Sequence, residues 1–214
     1  MIRYDRKFHL LAFGFATLAG FVDAIGFMKS GGLFVSFMTG NSTRLAIGAA
    51  EAAPVALAAA GLVALFVGGV VLGVMATAGR KNRKALAAGL VALLLALAAL
   101  GETLGGEWAV LPALCLAMGA ANTIFQRDGD VSIGLTYMTG NLVRLGHRLA
   151  AALRGGERAG WVPYLLLWLS LVTGGILGAL SFARSGAGAL WIATAAAVVL
   201  AILVQRATAP LLRV

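Results

Sequence analysis

Six stretches of the chain are apolar and long: Phe8–Met28, Pro54–Ala78, Ala85–Gly101, Trp108–Phe125, Trp161–Ala183 and Gly188–Val204. An α-helix needs about 20 such residues to cross a hydrocarbon core of about 30 Å, so the third and fourth reach across only with help from their flanks. Strands of a membrane barrel would alternate polar and apolar positions over about ten residues. These runs are instead continuous in Ala, Leu and Gly, which is a helical pattern. Two further stretches, Gly31–Ala50 and Val131–Leu153, are apolar for half their length and then carry Thr, Asn and Arg. The pattern predicts an all-α membrane protein with six transmembrane helices and two short or broken segments.

The two mixed stretches are alike. Phe37-Met38-Thr39-Gly40-Asn41, followed by Arg44-Leu45, recurs one hundred residues later as Tyr137-Met138-Thr139-Gly140-Asn141, followed by Arg144-Leu145. Upstream, Gly20-Phe21-Val22-Asp23 aligns with Gly119-Ala120-Ala121-Asn122. Downstream, Gly69-Val70-Val71-Leu72-Gly73 aligns with Gly174-Gly175-Ile176-Leu177-Gly178. Chance matching of Ala/Leu helices does not readily produce a shared Met-Thr-Gly-Asn-x-x-Arg-Leu. The expectation is two repeated halves, residues 1–101 and 102–214, forming one membrane domain.

Charge fixes a topology for that arrangement. With six spans, mixed segments that return to the side they left, and the N-terminus inside, the cytoplasm receives Arg3, Arg6, Lys7, Arg80, Lys81, Arg83, Lys84, Arg127, Arg144, Arg148, Arg154, Arg158, Arg206 and Arg213. The outside receives Lys29, Arg44 and Arg184. Cytoplasmic loops of membrane proteins favour Lys and Arg. Eight spans would put the Arg80–Lys84 cluster and the N-terminal cluster on opposite sides and abolish the bias. Three spans per half then give the halves opposite orientations, an inverted repeat, and the expected location is a bacterial cytoplasmic (inner) membrane with both termini cytoplasmic.

Composition agrees with a lipid-facing exterior. Hydrophobic residues are 61% of the 214 positions and charged residues 12%, against about 25% charged in soluble domains. The net charge of +9 does not point to nucleic acid, because the cations lie between apolar runs and form no stripe with aromatics. Arg3, Arg6 and Lys7 before an apolar stretch resemble a signal peptide, but the stretch runs into the repeated Gly-Phe-Val-Asp and is expected to be retained. Cys115 stands alone, His9 and His147 lack metal-ligand spacing, and no metal or cofactor is expected. No Ser-His-Asp set, phosphate loop or intramembrane acidic pair suggests an enzyme.

The candidate chemistry lies in the repeated polar positions. Thr and Asn favour helix N-caps, and Gly permits sharp turns. A cap motif inside an apolar segment predicts helices that begin at membrane depth, at Asn41 and Asn141. Broken helices in lipid must be buried in protein or line a wet cavity. Their free N–H groups favour an anion or a polar solute, and matched discontinuities in two halves mark transporter sites. The competing interpretation is a tight turn between packed helices. Arg44 and Arg144 follow each Asn by one turn, either at this centre or snorkelling to water; Arg144, His147, Arg148, Ala151 and Arg154 also form one polar face, as a surface helix would. Asp23 is the acid within a span. It is a candidate to pair with Arg44, to titrate in a proton-coupled step, to bind a cation or to form a structural ion pair. Asn122 is its neutral counterpart, and Gln126 lies one turn on. The expected substrate-binding set is therefore Asp23, Thr39, Gly40, Asn41, Arg44, Asn122, Gln126, Thr139, Gly140, Asn141 and Arg144. The spaced glycines Gly69/Gly73 and Gly174/Gly178 are expected to pack helices, and Gly-rich faces offer a route to a homo-oligomer.

With Gly20-Phe21-Val22-Asp23-Ala24, Phe37-Met38-Thr39-Gly40-Asn41, Arg127 and Thr139-Gly140, nearly the whole chain resembles the YoaK-like family of small bacterial multi-pass membrane proteins. The resemblance implies a six-span membrane fold and supplies no substrate. The expected function is a small transporter or channel for an anion or small polar solute through a centre at the paired Thr-Gly-Asn motifs. The alternative is a non-transporting membrane scaffold or partner subunit. The expected surroundings are a lipid bilayer and a small-molecule or ion substrate.

Overall fold

The computed structural model describes residues 6–51, 53–127, 130–131 and 134–209. Eight helices follow one another: α1 (Arg6–Ser30), α2 (Met38–Glu51), α3 (Ala53–Thr77), α4 (Arg83–Thr103), α5 (Glu107–Ala121), α6 (Met138–Leu153), α7 (Val162–Ser185) and α8 (Gly188–Thr208). Between α5 and α6, Gln126–Arg127 and Asp130–Val131 pair as a two-residue antiparallel ladder, β1 and β2, a small departure from the all-helical expectation. Among the described residues, five helices are long and apolar enough to cross a membrane: α1, α3, α4, α7 and α8. α5 is apolar but only 15 residues long, because Asn122–Phe125 form turns where a continuous span to Phe125 was expected. α4 runs to Thr103, and Leu104–Gly106 lead from it into α5.

Side-chain contacts fix the direction of each helix. Lys84, at the start of α4, lies 4.2 Å from the centre of the Phe8 ring at the start of α1. Lys29, near the end of α1, pairs with Glu102 near the end of α4 at 2.6 Å and stands 5.7 Å from the Phe182 ring near the end of α7. The bundle therefore has a Phe8/Lys84 end and a Lys29/Glu102 end. α3 starts at the latter, so α2, which leads straight into it, finishes there. α7 starts at the Phe8/Lys84 end, so α6 finishes there. At 14 and 16 residues, α2 and α6 span roughly 21–24 Å and run towards opposite ends.

α1 packs along α7, α5 along α3, and α4 against both α5 and α8. Hydrophobic burial alone cannot hold such helices together in lipid, where close van der Waals contact between small residues does more of the work. Glycines provide it reciprocally. A Cβ on Gly20 would collide with the Leu171 carbonyl oxygen, and one on Gly174 with that of Thr17. Likewise a Cβ on Gly119 would collide with the Phe66 carbonyl oxygen, and one on Gly69 with that of Leu116. A Cβ on Gly178 would likewise collide with the Phe21 carbonyl oxygen, and one on Gly73 would stand 3.3 Å from the Ala120 Cα. The Gly-rich faces that offered a route to self-association are thus filled within the chain, by α1 and α5.

Alanine at Gly20, Gly69, Gly119 or Gly174 should destabilise the fold by about 1–3 kcal/mol each, as overpacking does. Thermal unfolding in detergent should show lower midpoints for all four. Gly89→Ala, on α4 with open space around it, is the control and should be neutral or mildly stabilising. Equal behaviour of the control and the four contacts would contradict the packing role.

Candidate functional site

α1 ends in Gly31 and Gly32, whose φ values of +70° and +115° lie where L side chains are rarely found. The chain there reverses, and residues 33–37 run back along α1 without helical hydrogen bonds. Asp23 lies seven residues, about 10 Å, before the end of α1. Its Oδ1 accepts hydrogen bonds from the backbone N–H groups of Val35 at 2.9 Å and Ser36 at 2.7 Å. Asn41 completes the support: its Nδ2 donates to the Phe34 carbonyl at 2.7 Å, and its Oδ1 accepts from the Phe34 N–H at 2.9 Å. Phe34 packs between Phe27 and Phe37, with ring centres 4.8 and 5.8 Å away.

The second half repeats the arrangement in neutral form. Asn122 follows α5, donates through Nδ2 to the Met118 carbonyl at 2.9 Å and accepts through Oδ1 from the Thr136 hydroxyl at 3.2 Å. Asn141 donates to the Gly134 carbonyl at 3.1 Å. In the first half the acceptor receives two main-chain donors, which a carboxylate oxygen suits. In the second it receives one hydroxyl, and an amide oxygen is enough.

These contacts correct the expected role of the motif. The helices begin at Met38 and Met138, not at Asn41 and Asn141, and Thr-Gly-Asn fills their first turns. Neither Asn caps its helix. Each reaches seven residues back to the non-helical main chain, Asn41 to the Phe34 N–H and C=O and Asn141 to the Gly134 carbonyl, which the Tyr137 N–H also meets; an unpaired backbone group buried from water is costly.

Across the bundle the two helix starts face one cavity of about 280 Å³, lined by Ser36, Phe37, Met38 and Thr39 from one half, Thr136, Tyr137, Met138, Thr139 and Gly140 from the other, and Phe66 of α3. α2 and α6 do not pack on each other; the cavity separates them. Thr136 spends its hydroxyl on Asn122. The Ser36 Oγ is buried, and its side chain lies against the Asp23 carboxylate. Thr39 and Thr139 are exposed.

Of the expected site residues, the structure brings Thr39, Thr139 and Gly140 to this cavity. Gly40 lies just behind it, packed on the Phe34 ring. Asn41, Asn141 and Asn122 are buried behind its walls. Asp23 lies behind Ser36 and makes no ion pair with Arg44; it is held by backbone N–H groups. Arg44 is exposed, with a guanidinium nitrogen 3.0 Å from where a Gly32 Cβ would stand, at the outer turn of the loop. Arg144 is exposed as well. Gln126 lines a different cavity at the Phe8/Lys84 end, with Lys81, Arg83 and Lys84. Ser36, Thr136 and Phe66 were not anticipated. The repeat held a signal for two of them: Ser36 and Thr136 stand at the same one-hundred-residue offset, one place before the matched run.

The sequence matches the family described as protein of unknown function DUF1275 over residues 11–203. It is 38% identical over 188 residues to the UPF0700 transmembrane protein RA0705 of Rhizobium meliloti (strain 1021), covering 86% of this chain and 80% of that protein. No solved structure matches.

Removing the Asn41 side chain leaves both the N–H and the C=O of Phe34 unpaired, whereas without Asn141 the Gly134 carbonyl still accepts from the Tyr137 N–H at 3.3 Å. Asn41→Ala should cost about 1–3 kcal/mol and more than Asn141→Ala, read as thermal midpoint and monodisperse yield. Arg44→Gln, at an exposed site, should stay within about 0.5 kcal/mol of the parent. A ranking with Arg44 above Asn41 would overturn this assignment of roles.

Proposed function

The chain belongs to the DUF1275 family and is an integral membrane protein, and on that premise we propose that it is a small transporter or channel with its passage at the cavity between the α2 and α6 starts. The observation that carries the proposal is the convergence of two re-entrant helix starts on one space lined by Ser36, Thr39, Thr136 and Thr139. Irregular backbone at membrane depth is tolerated where it is buried in protein or lines a water-filled space, and discontinuous helices facing each other are the recurring form of a transporter site. Helix starts favour anions and polar groups; among the described residues no Lys or Arg lines this cavity, so the polar solute is the better-supported guest of the two. Passage without catalysis suits a lining of Ser and Thr with no general base beside them.

The proposal includes an inverted repeat. Its support is the pairing of contacts at equivalent positions: Gly20 on Leu171 and Gly119 on Phe66, Gly174 on Thr17 and Gly69 on Leu116, Asn41 on Phe34 and Asn141 on Gly134. With α5 and its following turns as a sixth crossing, the Phe8/Lys84 end faces the cytoplasm, as the excess of Lys and Arg there favours.

Cys115 is the single cysteine, so Cys115→Ala gives a background for introduced thiols. Thr39→Cys and Thr139→Cys should react with a small hydrophilic thiol reagent, and Lys81→Cys should react only from the cytoplasmic side. Proteoliposomes should pass at least one of a panel of small anions and polyols faster than empty vesicles, with Ser36→Val slowing it several-fold. If neither threonine position reacts while Lys81→Cys does, the interior is dry and the scaffold reading replaces transport. Labelling of Lys81→Cys in intact cells by an impermeant reagent would reverse the topology.

A further inference from the structure

Asp23 also reaches a second cavity, distinct from the one between the helix starts. It has a volume of about 300 Å³ and lies between α1 and α7, open at the bundle surface beside Phe27 and Met28. Its walls are almost wholly apolar, with Phe27, Phe34 and Phe37 on one side and Leu171 and Val172 on the other. Asp23 is the charged residue in that wall.

The charge balance there is uneven. Asp23 is 4% exposed and has no ion-pair partner among the described residues. The nearest cation along α1, Lys29, is committed to Glu102, and Arg44 lies at the Gly31–Gly32 turn. Backbone N–H groups of Val35 and Ser36 meet Oδ1, and the Ser36 hydroxyl and the Phe37 N–H also face the carboxylate; all are neutral dipoles and supply no counter-charge. A charge inside a span is expensive and usually has a partner or a function. Phenyl rings present a negative face that attracts a cation, most strongly where water is excluded. A carboxylate without a counter-ion, three phenyl rings and an apolar opening select for a positive charge on an apolar body.

We propose that the cavity between α1 and α7 binds a lipophilic monocation of the alkylammonium class, with Asp23 as its counter-ion and the Phe27/Phe34/Phe37 cluster as its aromatic wall. Oδ1 keeps the loop in place while Oδ2 meets the ammonium. The ligand enters from the lipid side past Phe27, which is 37% exposed. The site does not depend on passage through the central cavity, and it is read through different residues, so either proposal can fail alone.

Benzyltrimethylammonium is a suitable probe, and neopentylbenzene is its neutral isostere, with carbon in place of nitrogen. Calorimetric titration of the full-length protein in maltoside micelles should show saturable binding of the cation that the isostere does not displace. Asp23→Asn retains an acceptor for the Val35 and Ser36 N–H groups and should weaken the cation at least tenfold. Phe27→Leu keeps the loop's hydrogen bonds and removes only the ring contact with Phe34, and it should weaken the cation several-fold; it carries the test if Asp23→Asn does not fold. Adding phosphatidylethanolamine, whose headgroup also bears an ammonium, separates the sources: competition identifies a lipid headgroup as the natural occupant, and its absence identifies a free amine. Equal binding of cation and isostere, wild-type affinity in either variant, or no saturable binding would each overturn the proposal and leave an apolar groove filled by acyl chains.

Discussion

A main-chain N–H or C=O inside hydrocarbon has no water to bond, and everything distinctive about this protein follows from how it meets that constraint where its chain is not helical. Residues 33–37 and 134–137 carry peptide groups inward beside α1 and α5. Helices satisfy themselves; these stretches cannot. Asp23 and Asn41 bond the peptide groups of one; Asn141 bonds the Gly134 carbonyl of the other, and the Thr136 hydroxyl ties that stretch to Asn122. Four of those five side chains are at most 4% exposed and the fifth, Thr136, is 7% exposed, so each works where a hydrogen bond is worth most and its loss costs most.

The same two helices are notched for close packing. Gly20 precedes Asp23 by three residues, and Gly119 precedes Asn122 by three, which sets glycine and polar group almost one turn apart. The glycine admits a neighbouring helix to backbone contact, and the polar side chain pins the re-entrant loop beside it. Packing and polar satisfaction are therefore coupled locally. A displacement of α7 from α1 at Gly20 would disturb the level at which Asp23 holds Val35 and Ser36.

Long-range hydropathy made the helices legible, because a lipid-facing segment must be apolar all round and needs no partner to be recognised. The polar motif was legible as well, since Thr-Gly-Asn interrupts two such segments in register. Its function within the fold was not. The preference of Asn for helix caps is a local rule, whereas Asn41 and Asn141 bond a main chain seven residues back, whose need for them appears only once Gly31 and Gly32 have reversed the chain. Arg44 shows the same limit. Sequence placed it near Asn41 on the helix, but its long side chain extends to the outer turn. The cavity depends on Phe66 from a third helix, and no spacing within the motif could reveal that.

The brevity of α5 has a consequence for the bilayer itself. At 15 residues it is about 22 Å long, well below the hydrocarbon thickness, yet Val110, Leu114, Met118 and Ala121 along it are buried. α3 beside it is 25 residues long and turns Leu57 and Met75, both more than 70% exposed, outward. Beyond Trp108 at its start, which is exposed, α5 therefore offers lipid much less apolar surface than α3 does. Hydrophobic mismatch, which sorts proteins among membranes of different thickness by tilting helices or deforming the bilayer, acts on α3 and its outer companions. The far half of the short helix, where Ala117–Ala121 are buried, is largely withdrawn from it, and that end is free to be polar without thinning the membrane around the protein.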